Sequence, residues 1–253
     1  MPFNIEDYLN SLPLDITVIV VSNQGLTYLP DLSRFKQLRV LICSYNHLRE
    51  LPPLNDNLTQ LDCSGNKLTS LPSLNNNLTH LYCYHNHLRE LPPLNNNLDY
   101  LYCSDNQLTE LPFLNNKLKY LECSYNQLRL LPPLNNNLTD LYCHHNQLTW
   151  LPPLNNNLTH LDCSCNQLTW LPPLNNKLKY LNCFYNYNNT NIIKILRNFR
   201  YTYYLLKYKK HFKRWLWEKV REPKVMAKFH PDHLTNLEDT DDLEVFLEDW
   251  IKK

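Results

Sequence analysis

The chain has 253 residues, of which 43% are hydrophobic and 19% charged, and its 25 Lys and Arg nearly cancel its 24 Asp and Glu. A balance this close to neutral gives no global electrostatic reason to bind nucleic acid or a membrane surface. The opening residues include Glu6, Asp7 and Asp15, and the apolar run 16–21 is too short for a signal or a membrane span, so the chain reads as soluble and intracellular. Only two residues are Gly, against 17 Pro and 17 Tyr, a skew that makes an internal repeat the first thing to test.

Residues 1–38 are expected to form an N-terminal cap and an atypical first repeat, because the end of a stacked array must close its own core. An irregular early copy supplies Val18, Val20, Asn23, Leu26, Leu29 and Leu32. From there the chain superimposes on itself at a 20-residue offset without a slip, giving eight regular repeats over 39–188. One column holds Leu41, Leu61, Leu81 and so on to Leu181, and a second holds cysteine from Cys43 to Cys183. A third holds asparagine from Asn46 to Asn186, followed by leucines and a Leu-Pro turn that leads into an Asn tract.

The Leu-x-Cys alternation predicts a short strand with both named side chains inward, and stacked copies predict a parallel sheet. The Asn that follows is expected to turn inward and satisfy backbone groups of neighbouring turns. Prolines at 52–53, 92–93, 132–133, 152–153 and 172–173 remove amide donors and fix φ, so the return segments should be extended or polyproline-like, with no α-helix. Nine strands spaced by about 4.8 Å would give a sheet about 38 Å across.

The pattern from Leu58 through Leu61, Cys63 and Asn66 to Leu68 resembles the leucine-rich-repeat family over residues 18–186. The short unit with Leu-Pro in its return turn looks most like the bacterial effector subclass, and the Asn- and Tyr-rich wording is similar to leucine-rich-repeat proteins of giant amoeba viruses. The resemblance implies a curved solenoid that binds proteins on a concave sheet and has no activity of its own. Some effectors of this subclass add a ubiquitin ligase domain with a catalytic cysteine; no Cys follows Cys183 here, so that activity is not carried over.

With the inward positions assigned, a partner can touch only the variable strand positions. Before the Leu column stand Gln60, His80, Tyr100, Tyr120, Asp140, His160 and Tyr180, and between Leu and Cys stand Asp62, Tyr82, Tyr102, Glu122, Tyr142, Asp162 and Asn182. After Cys come Ser44, Ser64, Tyr84, Ser104, Ser124, His144, Ser164 and Phe184, also expected to face outward. Tyrosine is a rigid contact with a polar tip and is enriched at interface centres. The expected partner-binding set is therefore Tyr82, Tyr84, Tyr100, Tyr102, Tyr120 and Tyr142, with His80, His144 and His160. The same rings could instead only stack and stabilise the sheet. Trp150 and Trp170, just before Leu-Pro, are expected to cover the edge of the solenoid or the C-terminal segment.

Eight of the nine cysteines share the inward column, where a small apolar side chain is needed, so they read as packed thiols, while Cys165 should be exposed. The histidines do not converge: His80 and His160 sit four strands apart, about 19 Å, too far to share an ion. Asp140 and His160 can pair, but no nucleophile completes a catalytic set, and no metal or cofactor is expected. Asn57, Asn77, Asn137, Asn157 and Asn188 head N-x-Thr sequences that read as repeat chemistry.

Residues 189–253 are expected to form a helical C-terminal cap. Ile192, Ile193, Leu196, Phe199, Leu205 and Phe212 have helical apolar spacing, and Leu243, Phe246, Leu247 and Trp250 suggest a short amphipathic helix. Between residues 194 and 228 lie twelve Lys and Arg among Tyr and Trp, the one segment with a nucleic-acid or anionic-surface character, but the acidic run over 232–249 offers it an intramolecular partner, and the two are expected first to fold together. An unknown partner protein is the leading expectation, with nucleic acid the alternative.

Overall fold

The computed structural model describes residues 3–186. Nine three-residue strands run parallel in chain order: β1 (Val18–Val20), β2 (Val40–Ile42), β3 (Gln60–Asp62), β4 (His80–Tyr82), β5 (Tyr100–Tyr102), β6 (Tyr120–Glu122), β7 (Asp140–Tyr142), β8 (His160–Asp162) and β9 (Tyr180–Asn182). From β2 onward each strand pairs with the same positions of the next at an offset of 20, as in Leu41↔Leu61 and Leu101↔Leu121. The return segments contain no helix, as the prolines require. The expected C-terminal helical segment, the basic stretch 194–228 and the acidic run 232–249 lie outside the described residues.

One helix, α1 (Ile5–Ser11), precedes the sheet. Asn4 caps it, its side-chain oxygen accepting from the Glu6 and Asp7 amides, and the acidic first turn suits the positive end of the helix. Its apolar pair Ile5 and Leu9, one turn apart, is buried, while Arg34 donates to Asn10 and Tyr28 to Glu6, tying the helix to the first repeat.

The first repeat corrects the sequence reading. Ile19 and Val21 point inward, and Val18 and Val20 are 44% and 52% exposed. A run apolar on both faces carries no parity signal, so pairing with β2 sets the register: Ile19↔Leu41, an offset of 22. Asn23 accordingly does not join the inward Asn column but occupies the turn, with φ 56°.

Inside, the Leu column from Leu41 to Leu161 and the Cys column are almost wholly shielded from solvent, joined by the leucines at 58, 78, 98, 118, 138 and 158. After each cysteine the chain passes one residue and then a second in the left-handed region, among them Tyr45, His85, Tyr125, His145 and Cys165 at φ 51–54°. That reversal swings the next residue, the column asparagine, into the interior. Asn126 is typical: its Nδ2 donates to the carbonyls of Cys103, Cys123 and Ser124, and its Oδ1 accepts from the Leu108 amide at 2.9 Å. A single side chain thus stitches two repeats together.

Two further asparagine ladders lie in the return tract, where sequence reasoning assigns no role to individual residues. Asn115 donates to the carbonyls of Asn95 and Leu98 and is buried. Asn137 donates to the Asn116 carbonyl at 2.7 Å, and Asn57, Asn77 and Asn157 make the equivalent bond in their own repeats. These are asparagines of the N-x-Thr sequences, and the nitrogen that glycosylation would use is engaged in the ladder. Where the column changes to Lys117 or Lys177, the ammonium donates instead to the preceding asparagine Oδ1.

Burial pushes the column thiols far above their ordinary pKa, Cys43 to about 12, because a thiolate there would lose its hydration. The same direction holds for Cys63, Cys103, Cys123 and Cys163. Cys165 stands outside the column and is half-buried rather than fully exposed. A thiol-reactive disulfide reagent should therefore label Cys165 alone in the native protein and all nine cysteines after denaturation. Rapid native labelling of several thiols would contradict the packed column.

Candidate binding face

Parallel strands in register set equal positions about 4.8 Å apart, which is also a comfortable stacking distance for aromatic rings. The outward residues use that match. Tyr82 stacks on Tyr102 with centroids 4.7 Å apart, Tyr102 on Tyr120 at 4.6 Å, and Tyr120 leads on to Tyr142 at 5.5 Å. His80 stacks on Tyr100 at 4.6 Å, and Tyr100 meets Tyr120 at 6.4 Å. His80, Tyr82, Tyr100, Tyr102, Tyr120 and Tyr142 therefore form one continuous cluster across β4 to β7, with Tyr120 joining its two rows.

The other three expected side chains stand apart from it. Tyr84 reaches toward the Tyr45 hydroxyl at 3.4 Å and meets His85 edge-on. His144 bonds the Ser124 hydroxyl through Nδ1 at 2.8 Å, and His160 pairs with Asp140 at 2.8 Å. The Asp140 and His160 pairing that their adjacent repeats allow is present.

Burial raises the pKa of Tyr82, Tyr102 and Tyr142, and lifts Tyr120 further with help from Tyr102 and Glu122. These phenols stay neutral and keep a proton to donate. Burial lowers the pKa of His80, so near neutral pH it presents an uncharged ring to Tyr100.

The positions after Cys are not uniformly outward, contrary to the sequence expectation. Ser44, Ser64, Ser124 and Ser164 are buried, because a small side chain fits beneath its neighbours and its hydroxyl finds a partner there. In three repeats that partner is the acid two residues earlier: Asp62 takes the Ser64 amide and hydroxyl, Glu122 those of Ser124, and Asp162 those of Ser164. This Asp/Glu-Cys-Ser unit recurs in the sequence as a triplet, a signal hidden when acids and serines are read in separate columns.

A shallow recess is lined by His85, Ser104, Asp105, Glu122, Ser124, Tyr125 and His144, with the His85 Nδ1 in contact with the Asp105 carboxylate. The Ser124 hydroxyl sits between the Glu122 carboxylate and His144, but Ser124 is only 1% exposed. A serine so covered is not presented to an electrophile. Among the described residues no group of three His, Cys, Asp or Glu is placed to hold a metal ion. No helix among them is long and apolar enough to cross a membrane.

Trp150 and Trp170 gain no full cover from the described residues. They are exposed and fall in line with exposed Leu130 at the same position of the preceding repeat.

Family models described as leucine-rich repeats match residues 36–116 in three overlapping pairs of repeats, and again residues 157–175. The matched repeats are leucine-rich repeats. Among solved structures, this leucine-rich-repeat solenoid is similar to YopM from Yersinia enterocolitica, with 40% identity over 70% of this chain and 39% of that one and a TM-score of 0.68. It is similar also to YopM from Yersinia pestis, a leucine-rich effector protein, with 33% identity over 67% of this chain and 49% of that one and a TM-score of 0.65. A Shigella effector leucine-rich-repeat domain matches at 28% identity over 64% of this chain and 74% of that one, with a TM-score of 0.55. The chain spans less than half the length of either YopM structure. No curated protein sequence matches it.

Proposed function

We propose that the chain is a non-catalytic protein–protein interaction module that holds a partner protein on the outward face of its sheet. The observation that carries this reading is the continuous ring cluster of His80, Tyr82, Tyr100, Tyr102, Tyr120 and Tyr142. These rings are held by stacking, so little side-chain entropy is lost when a partner covers them, and their hydroxyls supply hydrogen bonds. Tyr84, His144 and His160 lie around the cluster and would contribute at the rim. The likeness to bacterial effectors built on the same repeat supports an interaction role.

The test is affinity capture with the wild-type chain beside a Tyr82→Ala, Tyr102→Ala, Tyr120→Ala variant, with circular dichroism showing that both are folded. Three anchors worth about 1–2 kcal/mol each would weaken capture of a protein partner by well over tenfold. Undiminished capture would leave the rings a purely structural ladder. The competing reading places nucleic acid on the basic segment 194–228, outside the described residues. It predicts capture that survives loss of the tyrosines, collapses as salt rises, and is abolished when Lys209, Lys210, Lys213 and Arg214 are neutralised.

A further inference from the structure

Resting on that docking reading, we propose that the occupant of the face is an extended, Lys- and Arg-rich segment of the partner protein, laid across the strands. The first ground is the order of groups along the central outward row. Pairing runs Asp62, Tyr82, Tyr102, Glu122, Tyr142, Asp162, so carboxylates and rings are interleaved across six strands. An ammonium or guanidinium that reaches Asp62 also lies against the side of the Tyr82 ring turned away from Tyr102, and the two attractions add.

The second ground is charge. The outward strand positions of β1 to β9 contain Asp62, Glu122, Asp140 and Asp162 and no Lys or Arg, with Asp162 itself buried between Ser164 on Oδ1 and Asn182 on Oδ2. Among the described residues none of these four acids forms an ion pair with Lys or Arg; Asp140 meets His160, and Asp162 meets His144 at 4.0 Å. Arg39, Lys119 and Lys179 stand one residue ahead of their strands, where Lys119 is already engaged by Asp99 at 3.0 Å. The face is therefore an aromatic surface of negative sign, complementary to a basic partner and repulsive to a phosphate backbone.

The third ground is spacing. Asp62 and Glu122 are three strands apart, about 14 Å, and an extended peptide covers that distance in about four residues, an even number that returns both side chains to the same side. Serine fixes each of these carboxylates through one oxygen. Asp62 Oδ2 and Glu122 Oε2 take no hydrogen bond within the described residues, which leaves them to accept from a bound cation.

The experiment uses the full chain and a twelve-residue peptide with Arg at every fourth position in a Thr and Val background, with matched Gln and Glu peptides, read by fluorescence anisotropy. The challenge variant is Asp62→Asn, Glu122→Gln, Asp162→Asn, whose amide oxygens can still accept from the serines. Binding of the Arg peptide at least tenfold tighter than the Gln peptide, lost in the acid-neutralised variant and in the tyrosine variant alike, supports the proposal. Equal affinity for the Gln or Glu peptide overturns it, as does Arg-peptide binding that survives neutralisation of the three acids. If a captured partner needs the tyrosines but is indifferent to the acids, the docking reading stands and only the cationic assignment falls. If nothing depends on the tyrosines, both fall.

Discussion

Asn126→Ala is expected to destabilise the protein by about 2–4 kcal/mol, although it removes only a small polar side chain. The substitution leaves the Leu108 amide, inside the solenoid, without its acceptor, and takes one donor from each of three carbonyls. A buried unpaired amide loses its hydration without compensation. The carbonyls fare better, because Cys103 still receives Asn106 and Cys123 still receives Asn146. Asn126→Asp should be worse still, since it keeps the acceptor but sets a buried charge against those carbonyls. Asn116→Ala is the control: its side chain is exposed in the return tract, and the change should stay within about 0.5 kcal/mol. Urea midpoints for the three variants decide the matter, and equal midpoints for the alanine substitutions at 126 and 116 would refute the ladder account.

A second large effect should come from chain length rather than side-chain identity. Deleting residues 103–122 joins Tyr102 to Cys123 and leaves every column intact, so the shortened chain should fold with the same circular dichroism signature and one strand fewer. Deleting 103–123 removes a single residue more. Ser124 then enters a thiol position and Gln127 an asparagine position, placing two mismatched polar groups in the interior at about 4 kcal/mol or more. The longer deletion should melt far below the shorter one; matching melting curves would show that the interior tolerates slippage.

Most of the scaffold is legible in the sequence because the interior positions repeat without variation. Leu41, Cys43 and Asn46 each predict their successors, and the parallel pairing at an offset of 20 follows. The irregular first repeat is not legible, since Ile19 and Val21 are flanked by Val18 and Val20, and only the pairing partner distinguishes inside from outside. The α1 helix also escapes sequence reasoning, its one apolar pair being too short a signal. Of the candidate face, the columns are readable but the clustering is not. Tyr82 and Tyr84 stand two residues apart in one repeat, yet only Tyr82 joins the stack, because ring contact depends on which neighbour each side chain leans toward. The Asn tract hides its division of labour for a similar reason. Three identical letters give no hint that Asn135 is buried on the Asn115 and Leu118 carbonyls, that Asn137 is tied to the preceding repeat, and that Asn136 between them is exposed.

Because each repeat meets its neighbours through the same interior columns, unequal recombination within the coding sequence can add or remove a whole unit without disturbing the junction. The breadth of the outward face is thus heritable in discrete steps of about 4.8 Å. Point changes at the outward positions alter what each step displays, so copy number sets the extent of the surface and substitution sets its chemistry.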